Sequence, residues 1–88
     1  MELTNLNLGD YVFNPLCFDT LDSVYYDISD DDYIKITKCS NNPNFIIVTK
    51  VENCNEEKIF VIDTTLVNDL SEEILSLFKS WKSKNFHL

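Results

Sequence analysis

The sequence predicts an α+β domain: a small antiparallel sheet of four or five strands in a meander, with one amphipathic helix after it. Three observations carry this prediction. Apolar residues recur with a 3.6-residue period near the end of the chain, period-two and β-branched runs precede them, and short polar turns join those runs. The chain has 88 residues. Chains below roughly 150 residues seldom split into two cores, so residues 1–88 are read as one domain, β-rich over about 1–64.

The helix is the clearest element. Leu70, Ile74, Leu77, Phe78 and Trp81 form one stripe of an α-helix over about 70–84, and Leu75 widens it. Asp69 or Ser71 can serve as N-cap, and Asp69 with Glu72 has capping-box spacing. Glu72 and Glu73 then sit at the positive end of the helix dipole, and Lys79, Lys82 and Lys84 at the negative end. The stripe assigns Leu77, Phe78 and Trp81 to the core rather than to a binding surface.

Upstream the period changes to two. In Tyr33-Ile34-Lys35-Ile36-Thr37-Lys38 the two isoleucines share a face. Asn41-Asn42-Pro43-Asn44 is a turn, because Asn tolerates the left-handed region and Pro presets φ. Phe45 to Val51 is apolar on both faces, which predicts a central strand. Glu52-Asn53-Cys54-Asn55-Glu56-Glu57 reads as a second polar turn, and Lys58 to Thr64 as the strand after it. In the first 32 residues, Gly9-Asp10 precedes Tyr11-Val12-Phe13, and Pro15 makes this a bent or edge strand. Ser23 to Ile28 is a further strand. Leu8-Gly9-Asp10-Tyr11-Val12 followed by a meander also suits a small SH3-like barrel, an analogy of fold that carries no function.

Composition narrows the function classes. The chain has fifteen Asp and Glu against seven Lys, no Arg, and a net charge of −8. Direct nucleic-acid binding and docking on anionic membranes both call for a basic surface and are not expected. No run of 18 apolar residues spans a bilayer, and the opening residues lack the basic and apolar regions of a signal peptide, so a cytoplasmic protein is expected. Ala, Arg and Gln are absent while Asn occurs ten times. That bias matches an AT-rich genome, such as a low-GC bacterium or one of its phages.

No cofactor or metal site is predicted. Cys17, Cys39 and Cys54 form no close pair, and each lies in or beside an apolar stretch, so they read as small buried hydrophobes. With His87 they could make a Cys₃His set, but structural zinc sites take ligands in pairs two to four residues apart. Asp27, Ser29 and Asp31 have the first spacings of an EF-hand loop, yet Asp32 stands where Gly is required and Lys38 where Glu is required. Catalysis is not expected either. A single Gly excludes the glycine-rich phosphate and nucleophile motifs, and one His with no Arg leaves the usual acid–base constellations incomplete.

Charge distribution is the sharpest feature. Residues 1–34 hold eight acids and no Lys, while residues 35–88 hold seven of each, so the whole net charge arises in the first 34 residues. Six of those acids are Asp19, Asp22, Asp27, Asp30, Asp31 and Asp32, interleaved with Tyr25 and Tyr26. Adjacent tyrosines on a strand point to opposite faces, so one of them is expected to stand exposed within the acidic patch as an interface anchor.

Carboxylates at fixed positions can imitate the phosphates of a duplex and engage basic grooves. The reading is a small acidic inhibitor, phage- or mobile-element-encoded, that acts in the host cytoplasm against defence systems of the CRISPR kind. Its partner would be a basic nucleic-acid-handling protein such as a defence nuclease. The alternative is a structural or oligomerising module, an SH3-like adaptor or a homodimer, whose acidic face serves only solubility.

Overall fold

The computed structural model describes residues 3–15, 23–29 and 32–85. Five strands, β1 (Val12–Phe13), β2 (Ser23–Asp27), β3 (Asp32–Lys38), β4 (Phe45–Glu52) and β5 (Asn55–Asp63), form one antiparallel sheet in the order β1-β2-β3-β4-β5. Helix α1 (Leu70–Asn85) follows a single 3₁₀ turn at Thr64–Leu66. The fold is the predicted α+β meander. It stays open, with β1 and β5 as its two edges, so the barrel alternative is not realised.

β4 is interior, paired with β3 on one side and β5 on the other, as its two-sided apolar character requires. β1 is a two-residue edge strand ending just before Pro15, which cannot donate to a ladder. In the β3–β4 connection, the Asn42 side chain accepts from the Asn44 N–H at 3.1 Å, and the Asn42 carbonyl accepts from the Phe45 N–H at 3.0 Å. This is the asparagine-driven turn that the sequence calls for.

The second hairpin differs from the prediction. Its loop is only Asn53-Cys54, with φ of 51° and 69°, and β5 begins at Asn55. Two left-handed residues in a two-residue loop match the twist of the flanking strands, so the polar residues Asn55, Glu56 and Glu57 join the ladder instead of a turn. Cys54 at its tip is exposed and Cys39 is half-buried, which corrects the expectation of buried thiols; Cys17 lies outside the described residues.

A bulge in β5 then sets which residues are cross-strand partners. Val48 pairs with Phe60 but Thr49 pairs with Lys58, leaving Ile59 as an extra residue. Both Ile59 and Phe60 pack against the core. An unbroken register would set Lys50 against Lys58; the bulge sets Lys50 against Glu57.

The core lies between α1 and one face of the sheet. Tyr26, Ile34, Ile36, Ile46, Val48 and Ile62 from the sheet meet Ile74 and Phe78 from the helix, and each is at most 4% exposed. Leu70, Leu77 and Trp81 complete the helix stripe as half-buried neighbours. Asp69 is the N-cap, accepting from the Glu72 N–H at 3.2 Å. The other candidate, Ser71, instead accepts from the Asn7 N–H at 2.8 Å and ties the N-terminal segment to the helix. That segment, which buries Leu3 and Leu8, is also held by Tyr26, whose hydroxyl donates to the Leu3 carbonyl and accepts from the Leu6 N–H.

Candidate acidic interface

A meander brings the end of β2, the start of β3, the end of β4 and the start of β5 to the same end of the sheet. The pairing register makes this concrete. One row across the sheet reads Val12, Asp27, Tyr33, Val51, Glu56; the next outward pairs Asp32 with Glu52 and Glu52 with Asn55; the next inward reads Phe13, Tyr26, Ile34, Lys50, Glu57. These rows therefore collect Asp27, Asp32, Glu52, Glu56 and Glu57 against a single lysine. Toward the other end the strands carry Lys35, Lys38, Lys58 and Asp63, so the sheet is polarised along its strands.

Within the acidic end, two carboxylates are held by cations. Lys50 Nζ lies 3.1 Å from Glu52 Oε2, and Lys35 Nζ lies 3.4 Å from Glu56 Oε1. Asp27 accepts from Asn14 Nδ2 at 2.9 Å, which fixes its carboxylate on the edge-strand side. Asp32 secures the β2–β3 turn through its carbonyl, which accepts from the N–H groups of Ile28 and Ser29 at 2.9 and 3.2 Å. In the register it is the cross-strand partner of Glu52. Like charges facing each other across strands destabilise a sheet, so this pair is a local cost within the fold.

The tyrosines correct the sequence expectation. Tyr25 and Tyr26 point to opposite faces as predicted, but both are buried, 6% and 1% exposed. Tyr26 lies under the N-terminal segment, and burial raises its hydroxyl pKa above the usual 10.0 against the smaller, opposite effect of the Leu6 hydrogen bond. Tyr25 packs edge-on against Tyr33 at 5.8 Å between ring centres, with Lys35 Nζ 5.7 Å from its own. Neither tyrosine can serve as an exposed anchor. Of the other predicted site residues, Asp27 and Asp32 are placed together at the acidic end, while Asp19, Asp22, Asp30 and Asp31 lie outside the described residues.

Sequence reasoning missed Glu52, Glu56 and Glu57, which belong to the charge-balanced half of the chain. Only the strand register brings them beside Asp27 and Asp32. Beside them, a cleft of about 430 Å³ is lined by Lys50, Glu52, Asn53, Asn55, Glu56, Glu57 and Trp81. Among the described residues, no group of three or more His, Cys, Asp or Glu side chains is arranged to hold a metal ion, and no helix is long and apolar enough to cross a membrane. A scan of protein-family models and searches of curated proteins and solved structures found no match.

Proposed function

We propose that this protein acts by binding rather than catalysis, presenting the acidic end of its sheet to a basic, nucleic-acid-handling protein and blocking the surface that nucleic acid would use. The observation behind this reading is the convergence of acids from four strands on one end, with Asp32 directly opposite Glu52. Folding alone gives no reason to keep that opposition, since it opposes the pairing it sits on. Carboxylates mounted on a hydrogen-bonded sheet keep fixed spacings, which is what imitation of a phosphate array needs. The composition bias toward residues with AT-rich codons and the net charge of −8 fit a phage or mobile-element inhibitor of a host defence nuclease, acting in the host cytoplasm.

The test is affinity capture from a low-GC bacterial lysate, with nuclease treatment, using wild type beside a variant in which Asp27, Asp30, Asp31 and Asp32 are all changed to Asn. A basic nuclease or DNA-binding protein held by wild type alone supports the reading. The same partners on both baits overturn it.

A second reading, self-association, draws on β5, a nine-residue edge strand on which Val61 is 59% exposed. Sedimentation separates the two. A dimer that persists in high salt favours an apolar interface, and a salt-sensitive complex with another protein favours the acidic one.

A further inference from the structure

The cleft beside the acidic end has a composition that narrows what the partner must bring to it, an inference that rests on the binding function proposed above. Three glutamates, two asparagines, the indole of Trp81 and Lys50, itself only 8% exposed, line it. The glutamates are not equivalent. Lys50 holds Glu52 and Lys35 holds Glu56, whereas Glu57 is exposed and makes no ion pair or side-chain hydrogen bond with any described residue. Glu57 owes its place to the bulge at Ile59, which sets it opposite Lys50. On the helix side, Trp81 is fixed by stacking on Phe78, 5.7 Å between ring centres with 14° between planes. An anchored indole, an available carboxylate and side-chain amides therefore line one space.

We infer that this cleft receives an arginine side chain of the partner protein, with its guanidinium paired to Glu57 and lying against Trp81. Charge and shape select this occupant. The cleft's three carboxylates outnumber its single ammonium, which disfavours an anion. A planar guanidinium pairs with a carboxylate through two parallel N–H donors and packs on an aromatic surface, whereas an ammonium offers only a compact point charge. Its volume exceeds that of one side chain, leaving room for the flanking backbone of a protruding loop.

Trp81 is the only tryptophan in the chain, so its fluorescence reports on this cleft without labelling. The experiment titrates the full-length protein with a blocked hexa-arginine peptide, read by Trp81 fluorescence and in parallel by calorimetry. It compares wild type, Glu57→Gln and the double variant Asp27→Asn/Asp32→Asn. The expected result is a saturable fluorescence change matching the calorimetric affinity, weakened about tenfold by Glu57→Gln, as loss of a charge-assisted pair implies. Glu57 is exposed, so this variant leaves the fold intact; far-ultraviolet circular dichroism checks it. Binding that leaves Trp81 unchanged, or that Glu57→Gln does not weaken, overturns the cleft assignment. If that binding is lost in the Asp27/Asp32 variant, the acidic end still stands as the interface. No binding by either method overturns both.

Discussion

Asp32, the first residue of β3, is the direct cross-strand partner of Glu52, the last residue of β4, so two acidic residues are paired across adjacent strands. Lys50 reaches Glu52 at 3.1 Å and offsets part of the repulsion. Replacing Asp32 with Asn is therefore expected to stabilise the fold by about 0.5 kcal/mol while weakening partner binding. Urea unfolding measures the first effect and partner capture the second. Opposite signs for stability and binding are the signature of a charge kept for function.

Tyr26 joins sheet, N-terminal segment and core in one side chain. Changing it to Phe keeps the ring but removes the hydroxyl that donates to the Leu3 carbonyl and accepts from the Leu6 N–H. The expected loss is about 1–3 kcal/mol in urea unfolding, with faster amide exchange at Leu6.

The same hydroxyl makes stability depend on alkaline pH. Its folded pKa lies above the unfolded value of 10.0 because burial disfavours the phenolate. Its contribution is thus complete below pH 10 and lost as pH rises through the folded pKa. Wild type should lose more stability than Tyr26→Phe across that window, measured by unfolding midpoints on either side of it. Equal losses would assign the alkaline sensitivity to other groups.

Cys54 occupies a left-handed position, φ 69°, that Gly takes without steric penalty. Cys54→Gly is expected to stabilise the hairpin by about 0.5–1 kcal/mol, raising Tm by about 4 °C in thermal unfolding.

The Asp69 cap offers a check on the helix. Asp69→Ala removes the acceptor for the Glu72 N–H and should cost about 1 kcal/mol in urea unfolding.

How much of this was legible before folding depends on the range of the information. The α1 boundaries came from a stripe, a cap and charge placement, all encoded within sixteen residues. The start of β5 did not, because Asn55-Glu56-Glu57 has turn composition, and Asn53-Cys54 lacks the glycine that usually marks a two-residue hairpin. Alternation correctly put Tyr25 and Tyr26 on opposite faces, but it does not say what packs over each face: the core and the N-terminal segment over Tyr26, and Tyr33 and Lys35 against Tyr25. Likewise Asp27 and Asp32 could be found by counting charges along the chain. Glu52, Glu56 and Glu57 required the register and its bulge.

The most direct test of the central claim is competition for the captured partner. Purified partner, bound to a fluorescent duplex oligonucleotide, is titrated with wild type and with the variant carrying Asn at 27, 30, 31 and 32. Mutually exclusive binding is expected, with wild type releasing the duplex and the variant failing to do so at the same concentration. A ternary complex of partner, duplex and this protein would contradict occupation of the nucleic-acid site.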